Sequence, residues 1–214
     1  MTKLTRRALT LGLAALPLPA LAQRAAVQPL SPADKVLVDR AATYLQGLTE
    51  AKGRFVQTDH RGRSTTGQLY MKRPGKARFA YDPPSGLLVV SDGGVVSVQD
   101  KRLKTFDQYP LGATPLSLFL ARTIRLDRGV AVTRVQRQAD GFTITARDGK
   151  KETAGQIALT FSDGPLALTG WTVTDAQGRP TRVQLQGLAR AAGLDTSLFV
   201  LKDPRPKNPG RGKV

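Results

Sequence analysis

From about residue 50 onward, the apolar residues of this 214-residue chain alternate with polar ones, in short runs broken by turn residues. A period of two belongs to β-strands, whose successive side chains point to opposite faces. Phe55 and Gln57 alternate with Arg54 and Val56, Leu69 and Met71 with Gln68, Tyr70 and Lys72, and Phe79 and Tyr81 with Arg78 and Ala80. Residues 87–91 turn at Asp92-Gly93-Gly94 into residues 95–99, and residues 103–109 give one more strand. After residues 130–138, Asp140-Gly141 turns the chain into Phe142, Ile144 and Ala146. Ile157, Leu159 and Phe161 follow, then Leu168, Trp171 and Val173; after a turn at Asp175–Gly178, Val183, Leu185 and Leu188 close the pattern. Residues 199–201 are read as a final short strand. The tally is about ten or eleven strands joined by tight turns. Connections this short exclude parallel crossovers, so the sheet is antiparallel, with one apolar and one polar face.

Two segments break that period. Ser31-Pro32-Ala33-Asp34 carries the signals of a helix start: a capping hydroxyl, proline at the first helical position and an acid in the first turn. Leu37, Ala41, Tyr44, Leu45 and Leu48 then recur at helical spacing, predicting a helix of about 17 residues that ends near Gly47. Thr114-Pro115 predicts a second, short helix holding Leu116, Leu118, Phe119 and Leu120. The fold class is mainly β, with α+β character. A one-faced sheet of this length either closes into a barrel or curls and is covered, and two helices apolar on one side are natural covers.

The ends carry other signals. Lys3, Arg6 and Arg7 precede an apolar run from Ala8 to Leu18, and Ala20-Leu21-Ala22 offers the small residues of a cleavage site before Gln23. Residues 1–22 are therefore expected to be an export signal, too short to span a bilayer comfortably. Thr5-Arg6-Arg7-Ala8-Leu9 also resembles a twin-arginine signal, so the route stays open. Residue 23 is glutamine, which offers no thiol to lipidate, so a soluble exported protein is expected. The 192 residues that remain suit one domain, 23–204, which opens on a short linker at 23–30 and is followed by a basic tail at 205–214. With no cysteine in the chain, packing alone must hold it. Losing Lys3, Arg6 and Arg7 lowers the formal net charge from +17 to +14, still strongly basic. Arg61/Arg63, Lys72/Arg73/Lys76/Arg78, Lys101/Arg102/Lys104 and the tail are placed at turns or chain ends. No recognition helix or aromatic–basic signature accompanies them, so no nucleic-acid partner is expected and a solvated basic face remains.

Most enzyme chemistry fails by inventory. The single histidine, His60, sits beside Arg61-Gly62-Arg63 in an expected turn, the ordinary place for a solvated imidazole. Metal sites draw on clusters of histidine, cysteine and carboxylates, and no such cluster is expected. Asp82, Asp92, Asp100 and Asp107 are read as turn and strand-end residues that cap backbone groups. Gly-Lys at 75–76 and 149–150 falls in hairpin turns, not in a phosphate loop that opens a helix. What remains is an apolar interior in which Phe55, Leu69, Met71, Phe79, Tyr81, Phe142, Phe161 and Trp171 share one face. Period alone does not separate a packed core from a pocket for an aliphatic ligand.

A resemblance bears on that choice. Phe55-Val56-Gln57-Thr58 is followed by Gly67-Gln68-Leu69-Tyr70-Met71-Lys72-Arg73-Pro74-Gly75-Lys76 and by Arg78-Phe79-Ala80-Tyr81-Asp82-Pro83-Pro84. Leu88-Val89-Val90-Ser91-Asp92-Gly93 and Thr114-Pro115-Leu116-Ser117-Leu118 come next. In their order and spacing across residues 50–120 these runs resemble the LolA family, periplasmic carriers of outer-membrane lipoproteins. Leu168-Thr169-Gly170-Trp171 and Asp175-Ala176-Gln177-Gly178 agree more loosely.

The resemblance implies an incomplete antiparallel β-barrel under a short helical lid, with no cofactor, no covalent chemistry and no enzyme activity. It implies a cavity for triacylated lipoproteins, received from an inner-membrane ABC exporter and passed to an outer-membrane acceptor or the outer membrane itself. The expected lining is Leu37 from the first helix, Leu116, Phe119 and Leu120 from the second, and Phe55, Leu69, Met71, Phe79, Tyr81, Phe142, Ile144, Phe161 and Trp171 from the strands. Arg73, the arginine of the Arg-Pro motif, would latch the lid through backbone carbonyls. A monomer in the periplasm is expected. Two features depart from the pattern: the mature charge is high for a free carrier, and the basic tail offers no clear extra strand. Two other readings are a half-barrel carrying another envelope lipid and a sensor of mislocalised lipoproteins. A carboxylate hydrolase would instead need a buried, strongly shifted acid in a cleft.

Overall fold

The computed structural model describes residues 29–204 apart from residues 115, 125, 127–129 and 149–154. The expected signal peptide, most of the linker, the tail from 205 and Gly149-Lys150 lie outside the described residues.

Helix α1 (Pro32–Gly47) starts as its sequence demands: Ser31 accepts the Asp34 N–H on its side chain, and proline holds the first helical position. It buries Leu37, Val38, Ala41 and Leu45. The strands are β1 (Glu50–Thr58), β2 (Ser64–Lys72), β3 (Lys76–Tyr81), β4 (Leu87–Asp92), β5 (Val95–Asp100), β6 (Thr105–Pro110), β7 (Val130–Gln138), β8 (Gly141–Asp148), β9 (Gln156–Asp163), β10 (Leu166–Thr174) and β11 (Pro180–Arg190). They form one antiparallel sheet, β6-β5-β4-β3-β2-β1-β11-β10-β9-β8-β7. Two meanders are joined where β1 pairs with β11, and the outermost strands β6 and β7 do not pair with each other.

Eleven strands at about 4.8 Å spacing would lie roughly 50 Å wide if flat, and a 16-residue helix is only about 24 Å long. Yet Val96 of β5 and Val132 of β7 belong to the same buried cluster as α1. The sheet is therefore curled around its contents without closing. The connection from β6 to β7 crosses the inner side through a 3₁₀ turn (Leu111–Ala113) and a single-turn helix α2 (Ser117–Leu120).

Several expectations are corrected. The second helix does not start from a Thr114 cap. Thr114 ends the 3₁₀ turn and its hydroxyl donates to the Leu111 carbonyl, so α2 begins only at Ser117. Residues 199–201 form no strand; residues 196–199 are a 3₁₀ turn (Thr196–Phe199). Residues 101–104 are a turn, so β6 starts at Thr105, and Asp107 lies within that strand rather than at its end. Lys76 and Arg78 lie in β3, not in a turn. Leu168 and Trp171 are both inward as expected, their spacing set by a bulge in β10 between Leu168 and Gly170 that puts an extra residue opposite β9.

The C-terminal residues 191–201 run as a strap over the outer face. Val90 and Phe199 are buried outside the inner cluster, and the 3₁₀ turn packs on β3 and β4. Glu50 accepts the Leu194 N–H (2.8 Å), Lys72 donates to the Leu194 carbonyl (2.8 Å), and Arg78 donates to the Leu198 carbonyl (3.0 Å). The Leu194 N–H and then Lys72 hold the Glu50 carboxyl below its ordinary pKa.

One glycine is required by packing. Gly67 faces Phe55 on one side and Tyr81 on the other, and the two rings meet edge to face at 5.0 Å. A Cβ on Gly67 would stand 2.7 Å from the Phe55 ring and collide with the Ala80 carbonyl. Gly67→Ala is expected to destabilise by about 1–3 kcal/mol through overpacking. A thermal melt should then fall by roughly 2–12 °C.

Candidate functional site

The residues expected to line a cavity all lie in the interior cluster or pack against it. They fall into two groups. In the first, a chain of rings runs from the lid into the sheet: Phe119 of α2 lies 5.2 Å from Trp171 of β10, Trp171 is 6.1 Å from Phe79, and Phe79 is 5.6 Å from Phe55. Tyr81 ends the chain against Phe55 and donates to Gln57 Oε1 (2.7 Å). Burial pushes the Tyr81 hydroxyl up to about 12, against the smaller opposite pull of Gln57, so it stays a donor. In the second group Phe142 stacks on Phe161 at 5.2 Å, and Tyr44 of α1 meets Phe161 edge-on at 6.2 Å. Leu37, Ile144 and Leu120 belong to the same interior cluster, and Leu116 is half-buried against it.

Leu69, Met71, Phe119 and Trp171 converge with Leu45, Leu48, Leu168, Leu185, Leu188 and Arg73 on one cleft between lid and sheet. The free space among them is about 10 Å³, room for one water at most. The inner face is filled by its own side chains, and a larger occupant needs the helices to move.

Arg73 stands where they meet. It follows β2 in the turn to β3, and its guanidinium donates to the carbonyls of Gln46 (Nη2, 2.7 Å), Leu48 (Nε, 3.1 Å) and Ala121 (Nη1, 3.4 Å). The first two are carbonyls left over at the end of α1 and the third follows α2, so one fork of donors ties both helix ends. Their partial negative charge favours a cation there. Burial pulls the Arg73 pKa down from the ordinary arginine value. Backbone bonds from the Arg73 N–H to Thr49 (2.8 Å) and from the Gly75 N–H to Leu120 (2.7 Å) reinforce the same junction.

The sequence reading missed Gln46, Gly75 and Arg190 as members of this junction. Gln46 donates to the Arg122 carbonyl (3.2 Å) and accepts the Ile124 N–H (2.8 Å), so α1 also clips the chain beyond α2. Arg190 donates to the Gly47 carbonyl (2.6 Å). Gln46 and Arg190 are polar side chains bonded to backbone and Gly75 acts through its own N–H, so apolar periodicity carries no trace of them.

Residues 46–202 match the family model of the outer membrane lipoprotein carrier protein LolA. The chain belongs to the LolA family. Within it, an outer-membrane lipoprotein carrier protein from Alcanivorax borkumensis is 30% identical over 172 residues, covering 75% of this chain and 80% of that one. One from Chromobacterium violaceum is 26% identical over 183 residues, covering 82% and 87%. A solved LolA superfamily protein from Nitrosomonas europaea aligns at a TM-score of 0.42 and 9% identity, over 75% of this chain and 97% of that one.

The match on this LolA family member spans the last two residues of α1, all eleven strands, α2 and the strap. Elsewhere on the molecule the side chains do structural work. His60 is exposed in the β1–β2 turn. Asp92 accepts the N–H groups of Gly94 and Val95, and Asp100 those of Arg102 and Leu103. Asp82 takes Thr66 and Arg54, which together hold it below the usual carboxylate range against some desolvation. Among the described residues no group of three or more His, Cys, Asp or Glu could hold a metal, and no helix is long and apolar enough to cross a membrane.

Proposed function

We propose that this protein carries lipoproteins through the periplasm, with their acyl chains on the inner face of the half-barrel. It would receive them from an inner-membrane ABC exporter and pass them to an outer-membrane acceptor or to the outer membrane itself. Family membership supports the carrier role in general. The observation that carries the finer reading is an apolar inner face that no strand closes, covered by two helices whose ends hang on Arg73.

The energies are of the right order. Each buried methylene of an acyl chain contributes about 0.8 kcal/mol. A neutral hydrogen bond contributes about 1 kcal/mol net. The three bonds from the Arg73 guanidinium, charge-assisted but half exposed, together contribute about 2–4 kcal/mol and are offset by burying about three to five methylenes. Cargo with several long chains would hold α1 and α2 away from the face, and Phe119 would leave Trp171. Escape of those chains into water would be very slow, so delivery needs a hand-off from one apolar surface to another. On leaving, the Arg73 bonds re-form and bias the protein toward its closed form. The cycle breaks no covalent bond and needs no cofactor, and a monomer suffices for it.

The test is ATP-dependent release from membranes that hold the exporter and a radiolabelled triacylated lipoprotein. The expected result is label in solution, in a one-to-one complex with this protein. If no label leaves the membrane while a fluorescent acyl probe still binds, the cavity is real but the cargo is wrong.

A further inference from the structure

The hairpin β5–β6 ends in Lys101-Arg102-Leu103-Lys104, all four exposed. Leu103 is 72% exposed, ahead of Val36 at 57% and Val200 at 56% among the exposed large hydrophobic residues. It is no loose end. Asp100 Oδ1 accepts the N–H groups of Arg102 (2.8 Å) and Leu103 (3.1 Å), and the Lys101 N–H donates to the Gly86 carbonyl (3.1 Å). Lys104 has a φ of 56°, the only non-glycine at positive φ among the described residues. The tip is built to hold a leucine out in water, an arrangement that folding alone does not favour. None of the three cations is paired with a described carboxylate. At the base of the tip a groove of about 380 Å³ has Pro83, Pro84, Leu87 and Leu88 along it and Arg78 and Lys101 beside them.

The meander brings two more hairpin tips to this end of the sheet, opposite the Arg73 turn. The β1–β2 and β10–β11 hairpins adjoin because β1 pairs with β11. Both read Thr-Asp-x-x-Gly-Arg, at 58–63 and at 174–179, and fold alike, with the arginine Nε donating to the turn's own aspartate at 2.8 Å in each. Their Asp–Arg pairs cancel in charge, so among the described residues they add only Arg61 as an unpaired cation and no large apolar residue. Among the described residues at this end, only the 101–104 tip combines clustered cations with a large apolar side chain.

We propose that this tip docks the protein on an anionic phospholipid bilayer: Leu103 enters the boundary between headgroups and acyl chains, and Lys101, Arg102 and Lys104 meet the phosphates. A single aliphatic side chain ringed by flexible cations is the chemistry of an interfacial contact. A protein partner of comparable strength would want a packed cluster of anchors, which the tip lacks. One leucine and three charges give a weak, reversible contact, brief enough for a protein that must also leave. The inference goes beyond the carrier reading and does not depend on cargo.

The test is flotation of the exported chain, beginning at Gln23 and without lipoprotein, with vesicles of phosphatidylglycerol and phosphatidylcholine. Binding is expected on the mixed vesicles and not on pure phosphatidylcholine, weakening as salt rises. Leu103→Ser, which changes no charge, should lower the partition coefficient tenfold or more, as should the triple change Lys101→Gln, Arg102→Gln, Lys104→Gln. A matched loss of three exposed cations away from that end, Lys35→Gln, Lys52→Gln and Arg134→Gln, should lower it less than threefold. Leu103→Trp should give a blue shift and quenching by brominated acyl chains only on the anionic vesicles, with the parent's Trp171 signal as baseline. If Leu103→Ser binds like the parent, or if both triple variants lose equally, the attraction is diffuse charge. The bilayer-finger assignment is then wrong, and the basic end is left as a surface for an acidic protein.

Discussion

Arg73→Leu is expected to strengthen the binding of a fluorescent acyl probe to the empty protein by about 30- to 1000-fold, and to slow its release. The substitution removes three donors from the carbonyls of Gln46, Leu48 and Ala121 while leaving an aliphatic side chain of similar reach. Charge-assisted bonds of this kind are worth more than neutral ones, and carbonyls left without partners in a half-buried junction carry their own penalty. A loss of about 2–4 kcal/mol from the closed form follows, which is that same fold-change in the population of the open form. Apparent affinity scales with the fraction already competent to bind, so it rises by the same factor until the open form predominates. Arg73→Lys should fall between the two, because an ammonium cannot present the planar fork that spans both helix ends. The Gln46 clip and the Gly75 bond to Leu120 remain in either variant, so Arg73→Leu should still fold, with a melt lowered by roughly 4–16 °C. Unchanged uptake and release in Arg73→Leu would remove the latch from the mechanism.

Much of this architecture is legible in the residues, because burial imposes a period. Ser31 and Pro32 mark the start of α1, Leu37, Ala41 and Leu45 mark its buried stripe, and alternation marks the inward residues of nearly every strand. The failures are local and have physical causes. Leu168 and Trp171 are inward as their apolar character suggests, and what the sequence hides is the bulge in β10 that sets their spacing. Thr114 and Pro115 look like a helix start, yet the Thr114 hydroxyl closes the preceding turn instead. Phe199 reads as strand because it is apolar, but it is buried by a strap on the outer face, where only tertiary contact rewards it. Arg73 is placed by motif, whereas its partners are backbone carbonyls that any residue would supply. Arg73 could therefore be singled out from the sequence, but its partners at Gln46 and the end of α1 could not.

Trp171→Ala bears on the ambiguity that periodicity leaves open, whether the inner face is a core or a seat for acyl chains. Trp171 is 3% exposed and touches Phe79 on one side and Phe119 of α2 on the other. Truncating it should destabilise the protein by about 3–5 kcal/mol, through lost burial and the cavity left behind. For a chain of this size the melt should drop by roughly 6–20 °C. That result alone fits either role. The informative measurement adds a single-chain fatty acid. If the inner face accepts acyl chains, the ligand enters the space the indole vacated, and saturation at about 100 times Kd returns about 2.7 kcal/mol. The variant should then gain more stability from the ligand than the parent does, since the parent must first displace Phe119 from Trp171. Phe199→Ala is the control: Phe199 is 1% exposed and lies outside the inner cluster, under the strap. Its truncation should cost about 3–5 kcal/mol as well. The ligand should stabilise that variant no more than it stabilises the parent, because the outer-face cavity is not on the acyl path. Equal rescue of the two variants would mean that the fatty acid acts through something other than the face around Trp171, and the carrier mechanism would need another binding surface.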